Sequence, residues 1–222
     1  MEKYIPVFKS SPFFSGLSDQ EILSALHCIN GSILSKKKDA YIFRSGDATS
    51  VMGMVLSGSA LILQEDLWGH RNIMSKCLPG DFFGEPYAAT PGSVLNISVV
   101  ANEDCKVLMI DISRVLSTCP SACEHHKRLI RNLVAVLANK ILLFNDKITH
   151  MSKRSTRNKL LSYLSSESLR QGSLSFDIPY NRQQLADFLC VERAAMSAEL
   201  SKLQKEGLLI TKRNHFTLSL EI

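Results

Sequence analysis

Several features of membrane, secreted and catalytic proteins are missing from this 222-residue chain. No apolar run approaches the roughly 18 residues that a membrane span needs, and the N-terminus is too polar for a signal peptide. The chain also lacks a phosphate-binding GxxxxGK(S/T) loop, a GxSxG nucleophile turn and a paired-histidine metal motif. These absences predict a cytoplasmic protein that is not an enzyme.

Cysteine is too dispersed to indicate a disulfide framework. Without an export signal, six thiols scattered through the chain are expected to be buried or free. The local group Cys119, Cys123, His125 and His126 offers soft metal ligands, so metal or redox sensing stays open as an alternative. Against it, Pro120 predicts that a helix begins between the two cysteines. We predict no bound metal and no cofactor.

Positive charge is concentrated in the last third of the chain. The net charge is +5. Residues 151–222 hold eleven Lys or Arg against seven Asp or Glu, whereas the first 150 residues hold fifteen against fourteen. Such an excess is what phosphate neutralisation requires, although solvated surface charge gives the same tally.

Short apolar or alternating runs dominate the N-terminal half. A helix through residue 27 is predicted first, because Ser18 and Glu21 have the spacing of a capping box. Many short runs then follow at close spacing, separated by turn residues, and this texture predicts an antiparallel barrel or roll. The runs lie at residues 40–43, 52–56, 60–64, 72–77, 96–100 and 106–110.

A long helix is predicted for residues 120–153. Its apolar residues recur at spacings of three and four, which is typical of a coiled-coil seam. The alternative is a core helix lying along its own domain, and one seam can serve both partners. We favour a parallel dimer contact, because such a helix outruns a barrel of about eighty residues. The predicted interface consists of Ile130, Leu133, Leu137, Ile141, Phe144, Ile148 and Met151.

Two short amphipathic helices joined by a tight break are predicted within residues 181–209. Leu185 and Leu189 share one face of the first, while Met196, Leu200 and Leu203 recur at helical spacing in the second. A polar hinge at residues 153–158 precedes this module, and a strand near 175–178 and a pair at 208–212 and 216–220 complete a winged helix. An ordinary helical hairpin is the alternative interpretation.

With a roll, a long helix and a winged helix in that order, the chain resembles the Crp/Fnr family of bacterial transcription factors. The likeness rests on FRSGD at 43–47, VLSGSALIL at 55–63 and PGDFFGE at 79–85, where Gly46, Gly58, Gly80 and Gly84 suit turns. The predicted fold is α+β, with an antiparallel, jelly-roll-like β-roll of the cyclic-nucleotide-binding type, a dimerisation helix and a winged helix-turn-helix. The predicted limits are 1–118, 119–153 and 154–222.

The effector site departs from the family pattern. In the family, the Gly-Glu pair, here Gly84 and Glu85, begins a segment that holds a cyclic nucleotide, and a later Arg followed by Ser or Thr clamps its phosphate. Those two positions fall on Leu95 and Asn96. An Arg supplies a bidentate, charge-assisted pair that Leu cannot. We therefore predict that the protein does not bind cyclic AMP tightly.

A less charged effector is the predicted ligand of the roll, and a collapsed pocket without a ligand is the equal alternative. The effector itself is not specified by the sequence. An iron–sulfur centre is not predicted, because only Cys28 precedes residue 77. The residues predicted to line the pocket are Phe82, Phe83, Gly84, Glu85, Tyr87, Leu95, Asn96, Leu133 and Leu137.

The resemblance also implies how DNA is read. Arg193 matches the family arginine that reaches guanine O6 and N7 in the major groove, whereas Ala194 and Ala198 replace longer side chains. Discrimination then rests on Arg193, Ser197 and DNA shape. Asn181 is expected to cap the first helix. Phosphate contacts are predicted for Arg182, Gln183, Ser201, Lys202, Lys205, Lys212 and Arg213.

The predicted function is a DNA-binding regulator that acts as a homodimer on a pseudo-palindromic operator. If it is an activator, RNA polymerase is a further partner; no membrane partner is expected. The alternatives are a homodimeric regulatory or partner-binding module without DNA affinity, and a metal- or redox-sensing member that uses Cys119 and Cys123.

Overall fold

The computed structural model describes residues 1–117 and 124–219, which form two compact units. Unit 1 comprises Met1–Asn139 and unit 2 comprises Lys140–Ile222. The boundary lies within one long helix, so each unit is described with its own part of that helix. No helix among the described residues is both long and apolar enough to cross a membrane.

The described part of unit 1 contains eight strands, two short 3-10 helices (Glu2–Tyr4 and Pro12–Phe14) and four complete α-helices. The helices are α1 (Ile5–Ser10), α2 (Asp19–Cys28), α3 (Glu85–Ala88) and α4 (Ile112–Leu116), followed by the first part of α5 (Glu124–Met151). The strands are β1 (Ser32–Lys36), β2 (Tyr41–Phe43), β3 (Val51–Ser57), β4 (Ala60–Glu65), β5 (Arg71–Cys77), β6 (Phe82–Phe83), β7 (Ser98–Ala101) and β8 (Cys105–Asp111). The capping box at the start of α2 is confirmed, since Ser18 and Glu21 bond reciprocally.

The strands form two antiparallel four-stranded sheets, with orders β1-β8-β3-β6 and β2-β7-β4-β5. Val55 and Val107 of the first sheet and Val99 of the second belong to one buried cluster. Alternate residues of the first sheet, such as Met54 and Leu108, instead join α1, α2 and the start of α5 in another. The first sheet is therefore covered on both faces, and the predicted antiparallel roll is confirmed.

Two strands were absent from the sequence prediction for physical reasons. Strand β1 pairs with β8 at the edge of its sheet, leaves Ile33 exposed and has no buried residue, so no buried apolar face marks it. Strand β6 has only two residues. It packs against Gly53, where a Cβ atom would lie 2.2 Å from the Phe83 ring. Gly53 is thus required by close packing within a strand rather than by a turn.

Four predicted turn glycines have positive φ, at Gly46, Gly58, Gly80 and Gly84. At Gly58 (φ +74°) an added Cβ would also lie 2.5 Å from the Asp104 carbonyl oxygen. An L-residue there would be strained both by its backbone and by this contact. The turn interpretation of these glycines is confirmed.

The β4–β5 hairpin displays two large apolar side chains at its tip. Leu67 and Trp68 are 97% and 81% exposed. The turn is held by Asp66, whose Oδ1 accepts from the backbone amides of Trp68 and His70, each at 2.9 Å. These hydrogen bonds define the turn, while the side chains at its tip are exposed.

Unit 2 begins with the second part of α5. It continues with α6 (Thr156–Gln171), β9 (Ser175–Asp177), α7 (Arg182–Leu189), α8 (Arg193–Lys205), β10 (Leu209–Lys212) and β11 (His215–Leu218). The three strands form one antiparallel sheet in the order β10-β11-β9. This is the predicted winged helix-turn-helix. The three-part division 1–118, 119–153 and 154–222 stays a prediction.

Candidate nucleic-acid interface and effector region

The two-helix module is built around a tight turn. Asn181 caps α7 in a capping box with Gln184, as predicted. Cys190 ends the helix in the left-handed region (φ 51°), an unusual conformation for a residue with a side chain. Leu185 of α7 and Leu200 of α8 are both buried, so the module buries one face of each helix.

The opposite face of α8 is exposed and polar. Arg193, the first residue of α8, places a long cationic side chain at the N-terminal end of this helix. The remainder of the face is small or polar, so the helix has little bulk to keep it out of a groove. The exposed residues are Arg193, Ala194, Ser197, Ala198, Ser201 and Lys202. Ser201 donates to the Ser197 carbonyl at 3.0 Å.

The wing displays its cations at its turn. Lys212 and Arg213 are exposed, and Arg213 has positive φ (57°). The turn is anchored because Asn214 Nδ2 donates to the Ile178 carbonyl at 3.2 Å and the Ile178 amide donates back to the Asn214 carbonyl at 2.9 Å. The wing therefore holds two positive charges at a fixed place in unit 2.

Arg182, at the start of α7, contacts two residues of the wing. Its Nη2 donates to Thr211 Oγ1 at 2.7 Å, and its guanidinium carbon lies 5.1 Å from the Phe216 ring centroid. Burial lowers the pKa of Arg182. The phosphate role predicted from its place at the start of α7 stays a prediction. Gln183 is exposed, and its amide donates to Asp187 at 2.8 Å.

Ion pairs that the sequence analysis missed hold α8 against α6. Arg157 bonds Glu199 at 3.2 Å and Glu206 at 2.5 Å. Lys159 Nζ donates to the carbonyls of Leu189 and Cys190 at the end of α7. The sequence predicts only that Arg157 lies in a polar hinge and that Lys159 lies at the start of a helix. Their partners lie 30 or more residues away, so no local signal identified them.

The second part of α5 contributes two buried basic groups to unit 2. Lys147 is 5% exposed and lies 4.6 Å from the Phe188 ring centroid. Burial lowers its pKa to about 8. His150 is also 5% exposed, and its Nδ1 is 2.8 Å from the Ser162 hydroxyl. A basic residue on an amphipathic helix normally indicates a solvated face, so sequence reasoning missed both.

Several residues predicted to line an effector pocket are core residues. Phe82 belongs to the cluster under the N-terminal helices, and Phe83 belongs to the cluster between the sheets. Leu95 is 2% exposed within this second cluster. Leu133 is 3% exposed in the first cluster, and Leu137 packs against it. These five residues do not converge on one lining, because they fill two separate packing clusters.

The remaining predicted pocket residues lie around α3. Gly84 precedes this helix in the left-handed region, and Glu85 begins it with 1% exposure. Tyr87 donates to the side-chain oxygen of Asn96, so the two positions are directly joined. Burial raises the pKa of Tyr87. A neutral hydrogen bond therefore occurs beside the position at which the family pattern has a phosphate clamp.

The exposed seam of α5 differs from the predicted one at a single position. Leu133 is buried in the core of unit 1, whereas the next residue, Val134, is 62% exposed. Ile141 and Ile148 are 60% and 65% exposed, and Phe144 is 40% exposed. With Val134 in place of Leu133, the spacings along the seam alternate strictly between four and three. The corrected set is Ile130, Val134, Leu137, Ile141, Phe144, Ile148 and Met151.

Cys119 and Cys123, on which the metal or redox alternative rests, lie outside the described residues. His125 is 3.2 Å from Glu21, and His126 Nε2 is 2.7 Å from the Arg114 carbonyl. Within residues 1–117 and 124–219 no group of three or more potential ligands is assembled. Among the described residues, Cys28, Cys77, Cys105 and Cys190 form no disulfide.

Comparisons with known proteins match both units. Residues 33–121 match the cyclic nucleotide-binding domain family, and residues 158–220 match the Crp-like helix-turn-helix domain family. The chain is 27% identical over 202 residues to the cyclic AMP receptor protein of Thermus thermophilus, covering 90% of this chain and 88% of that protein. It is 23% identical over 174 residues to the transcriptional activator protein FnrL of Cereibacter sphaeroides, covering 74% and 67%.

Solved structures show the same architecture. The c-di-GMP responsive regulator CLP of Xanthomonas campestris superimposes with a TM-score of 0.72 at 19% identity, covering 91% of this chain and 100% of that one. FixK2 of Bradyrhizobium japonicum gives a TM-score of 0.66 at 20% identity, covering 86% and 93%. At these identities the likeness establishes a shared fold.

Proposed function

Because the chain belongs to the Crp/Fnr family of DNA-binding transcription regulators, which are not enzymes, we propose that it acts as a homodimer on a pseudo-palindromic operator. An effector other than cyclic AMP controls the affinity of this dimer for DNA. Arg193 is the main base-reading residue. The protein works in the cytoplasm, where a bacterial chromosome is accessible, and RNA polymerase is its second partner if it activates transcription.

The observation that carries this proposal is the exposed face of α8. Arg193 stands at the N-terminal end of a helix whose opposite face is packed against α7, so its guanidinium is free to reach a base edge. A bidentate contact to guanine is the commonest specific contact in a major groove. The wing cations Lys212 and Arg213 supply contacts to phosphate, which hold the helix in register.

The dimer is supported by the second apolar face of α5. Leu129 and Leu133 already pack into unit 1, yet Val134, Ile141 and Ile148 remain more than half exposed. The seam is a strict heptad of apolar residues, of which Val134, Ile141, Phe144 and Ile148 are exposed, and it matches the a and d positions of a two-stranded coiled coil. Two copies joined along this seam present two reading helices, as a palindromic operator requires.

The effector assignment is supported by the burial of Leu95. A cyclic nucleotide needs a cation or several donors for its phosphate, and Leu95 offers an apolar side chain packed among other apolar residues. Isothermal calorimetry of the purified protein with cyclic AMP is expected to show no binding at micromolar concentrations. Micromolar or tighter affinity would contradict the proposal.

Operator binding and dimerisation are tested together with seam variants. The double variant Ile141→Asp/Ile148→Asp is expected to be monomeric by analytical ultracentrifugation and to bind its upstream DNA at least about 100-fold more weakly, because the two reading heads lose their linkage. Leu142→Asp is the matched control, since Leu142 is 62% exposed but lies about 100° around the helix. A dimeric double variant with unchanged affinity would show that this face is not the dimer contact.

A further inference from the structure

The junction between α7 and the wing is centred on Thr211. This residue, on β10, makes hydrogen bonds to three different elements. Its hydroxyl accepts from Arg182 Nη2 at 2.7 Å and donates to the His215 carbonyl at 3.0 Å. Its backbone amide donates to Gln204 Oε1, near the end of α8, at 3.0 Å. One residue thus joins α7, α8 and both strands of the wing.

Arg182 completes this junction from the other side. Its guanidinium lies 5.1 Å from the centroid of the Phe216 ring, which is fully buried and whose residue pairs with Thr211 across β10 and β11. A guanidinium over an aromatic face is held by the ring quadrupole as well as by its hydrogen bond. Its Nη1 is shielded from solvent and has no hydrogen-bond partner among the described residues. A DNA phosphate could reach that nitrogen only after this packing had opened.

We propose that Arg182 is a positioning residue which, through Thr211 and Phe216, sets the place of the wing relative to the reading helix. The pair Arg182–Thr211 with Phe216 and Gln204 is called the wing brace. It holds Lys212 and Arg213 where they contact the DNA backbone while α8 lies in the groove. Arg182 therefore contributes to affinity without touching phosphate. This inference rests on the proposed DNA-binding function of unit 2.

A substitution that changes no charge distinguishes the wing brace from the alternative, in which Arg182 binds phosphate directly. Thr211→Val removes the hydroxyl but keeps the shape and charge of the strand. Because the wing then no longer holds its cations against the DNA backbone, the variant is expected to bind DNA roughly tenfold more weakly. The slope of its affinity against salt should fall by about 0.9 for each phosphate that is no longer neutralised. Thr211→Ser keeps the hydroxyl and is the matched control, with affinity near that of the wild type. Direct phosphate binding by Arg182 predicts no effect of Thr211→Val.

A double-mutant comparison supplies the second arm. Arg182→Ala is made in the wild type and in a Lys212→Ala/Arg213→Ala background, which lacks the wing cations. The wing brace predicts a loss of affinity of roughly tenfold in the wild type and less than about twofold in the second background, because interacting residues are not additive. Equal reductions in both backgrounds, together with wild-type affinity of Thr211→Val, would overturn the inference in favour of direct phosphate binding.

The measurement is fluorescence anisotropy of the full chain with a labelled duplex from its own upstream region and with an unrelated duplex, over about 50 to 200 mM salt. Backbone contacts do not depend on sequence, so both duplexes report on the wing. If the wild type binds neither duplex, the proposed function fails. If the wild type binds but the wing variants retain full affinity and slope, the wing brace has no role. Thermal unfolding identifies variants that do not fold. If Arg182→Ala does not fold, the inference is tested with Thr211→Val alone.

Discussion

The two positions on which the family resemblance bears most, Leu95 in unit 1 and Arg193 in unit 2, lie in opposite surroundings. Leu95 stands where the family pattern has an arginine, and it is 2% exposed between the sheets of the roll. Arg193 matches the family arginine and is exposed at the start of α8. Proteins with the same fold make the same interaction only where the side chain at the matching position is chemically able to make it. The exposed start of α8 has an arginine available for such a contact, and the buried surroundings of Leu95 have none at that position.

Among substitutions at these two positions, the largest change in free energy is expected at Leu95. Leu95→Ala should lower the free energy of unfolding of unit 1 by about 2 to 4 kcal/mol, because it leaves a cavity in the packed roll. Guanidinium denaturation followed by circular dichroism measures this. Val94→Ala is a control for the neighbouring position, since Val94 is 54% exposed and should change stability by less than about 0.5 kcal/mol. Equal effects of both variants would show that Leu95 is not part of the core.

Arg193→Ala tests whether Arg193 reads a base in the operator. It should cost about 1 to 3 kcal/mol of operator binding and relax sequence preference, while the stability of the fold stays unchanged because the side chain is exposed. Competition binding between the operator and base-substituted duplexes measures both quantities. Lys205→Ala, at the far end of α8, is the matched removal of a charge. Unchanged discrimination in Arg193→Ala would refute its role.

A smaller effect, confined to unit 2, is expected from Lys147. Its folded pKa of about 8 is below the usual lysine value of 10.5, because burial opposes the charged form. Between these values the unfolded chain binds the proton and the folded chain does not, so stability should rise as the pH increases from 8 to 10.5. Lys147→Met removes this rise and should stabilise the protein by about 1 to 2 kcal/mol at pH 7. Denaturation curves at pH 7 and pH 10 measure both differences, and an undiminished rise in the variant would assign it to another group.

Local patterns predicted most elements of this fold, because they depend on neighbours in sequence. Ser18 and Glu21 cap α2, Asn181 caps α7, and short apolar runs between turn residues mark six of the eight strands described in unit 1. The errors concern long-range packing. Leu133 and Val134 fit the helical period almost equally well, and only the cluster under the first sheet decides which one is buried.

The interface residues show the same limit. Arg182 has the sequence position of a phosphate contact, and nothing near it in the chain reveals Thr211, 29 residues later, as its partner. Arg193 was identified correctly as an exposed residue because the apolar stripe of α8 determines which face is free. Predictions for helix faces were therefore sound where one buried stripe defines the face. They were weak where a side chain turns toward another element.

The position of Trp68 has a practical consequence for spectroscopy. It is the only tryptophan of the chain, and it is 81% exposed at the tip of the hydrogen-bonded β4–β5 hairpin in unit 1. An indole already in water changes its emission little when the protein unfolds, but it responds strongly when another molecule covers it. The intrinsic fluorescence of this protein is therefore a poor reporter of denaturation and a selective, label-free reporter of whatever binds over the β4–β5 hairpin.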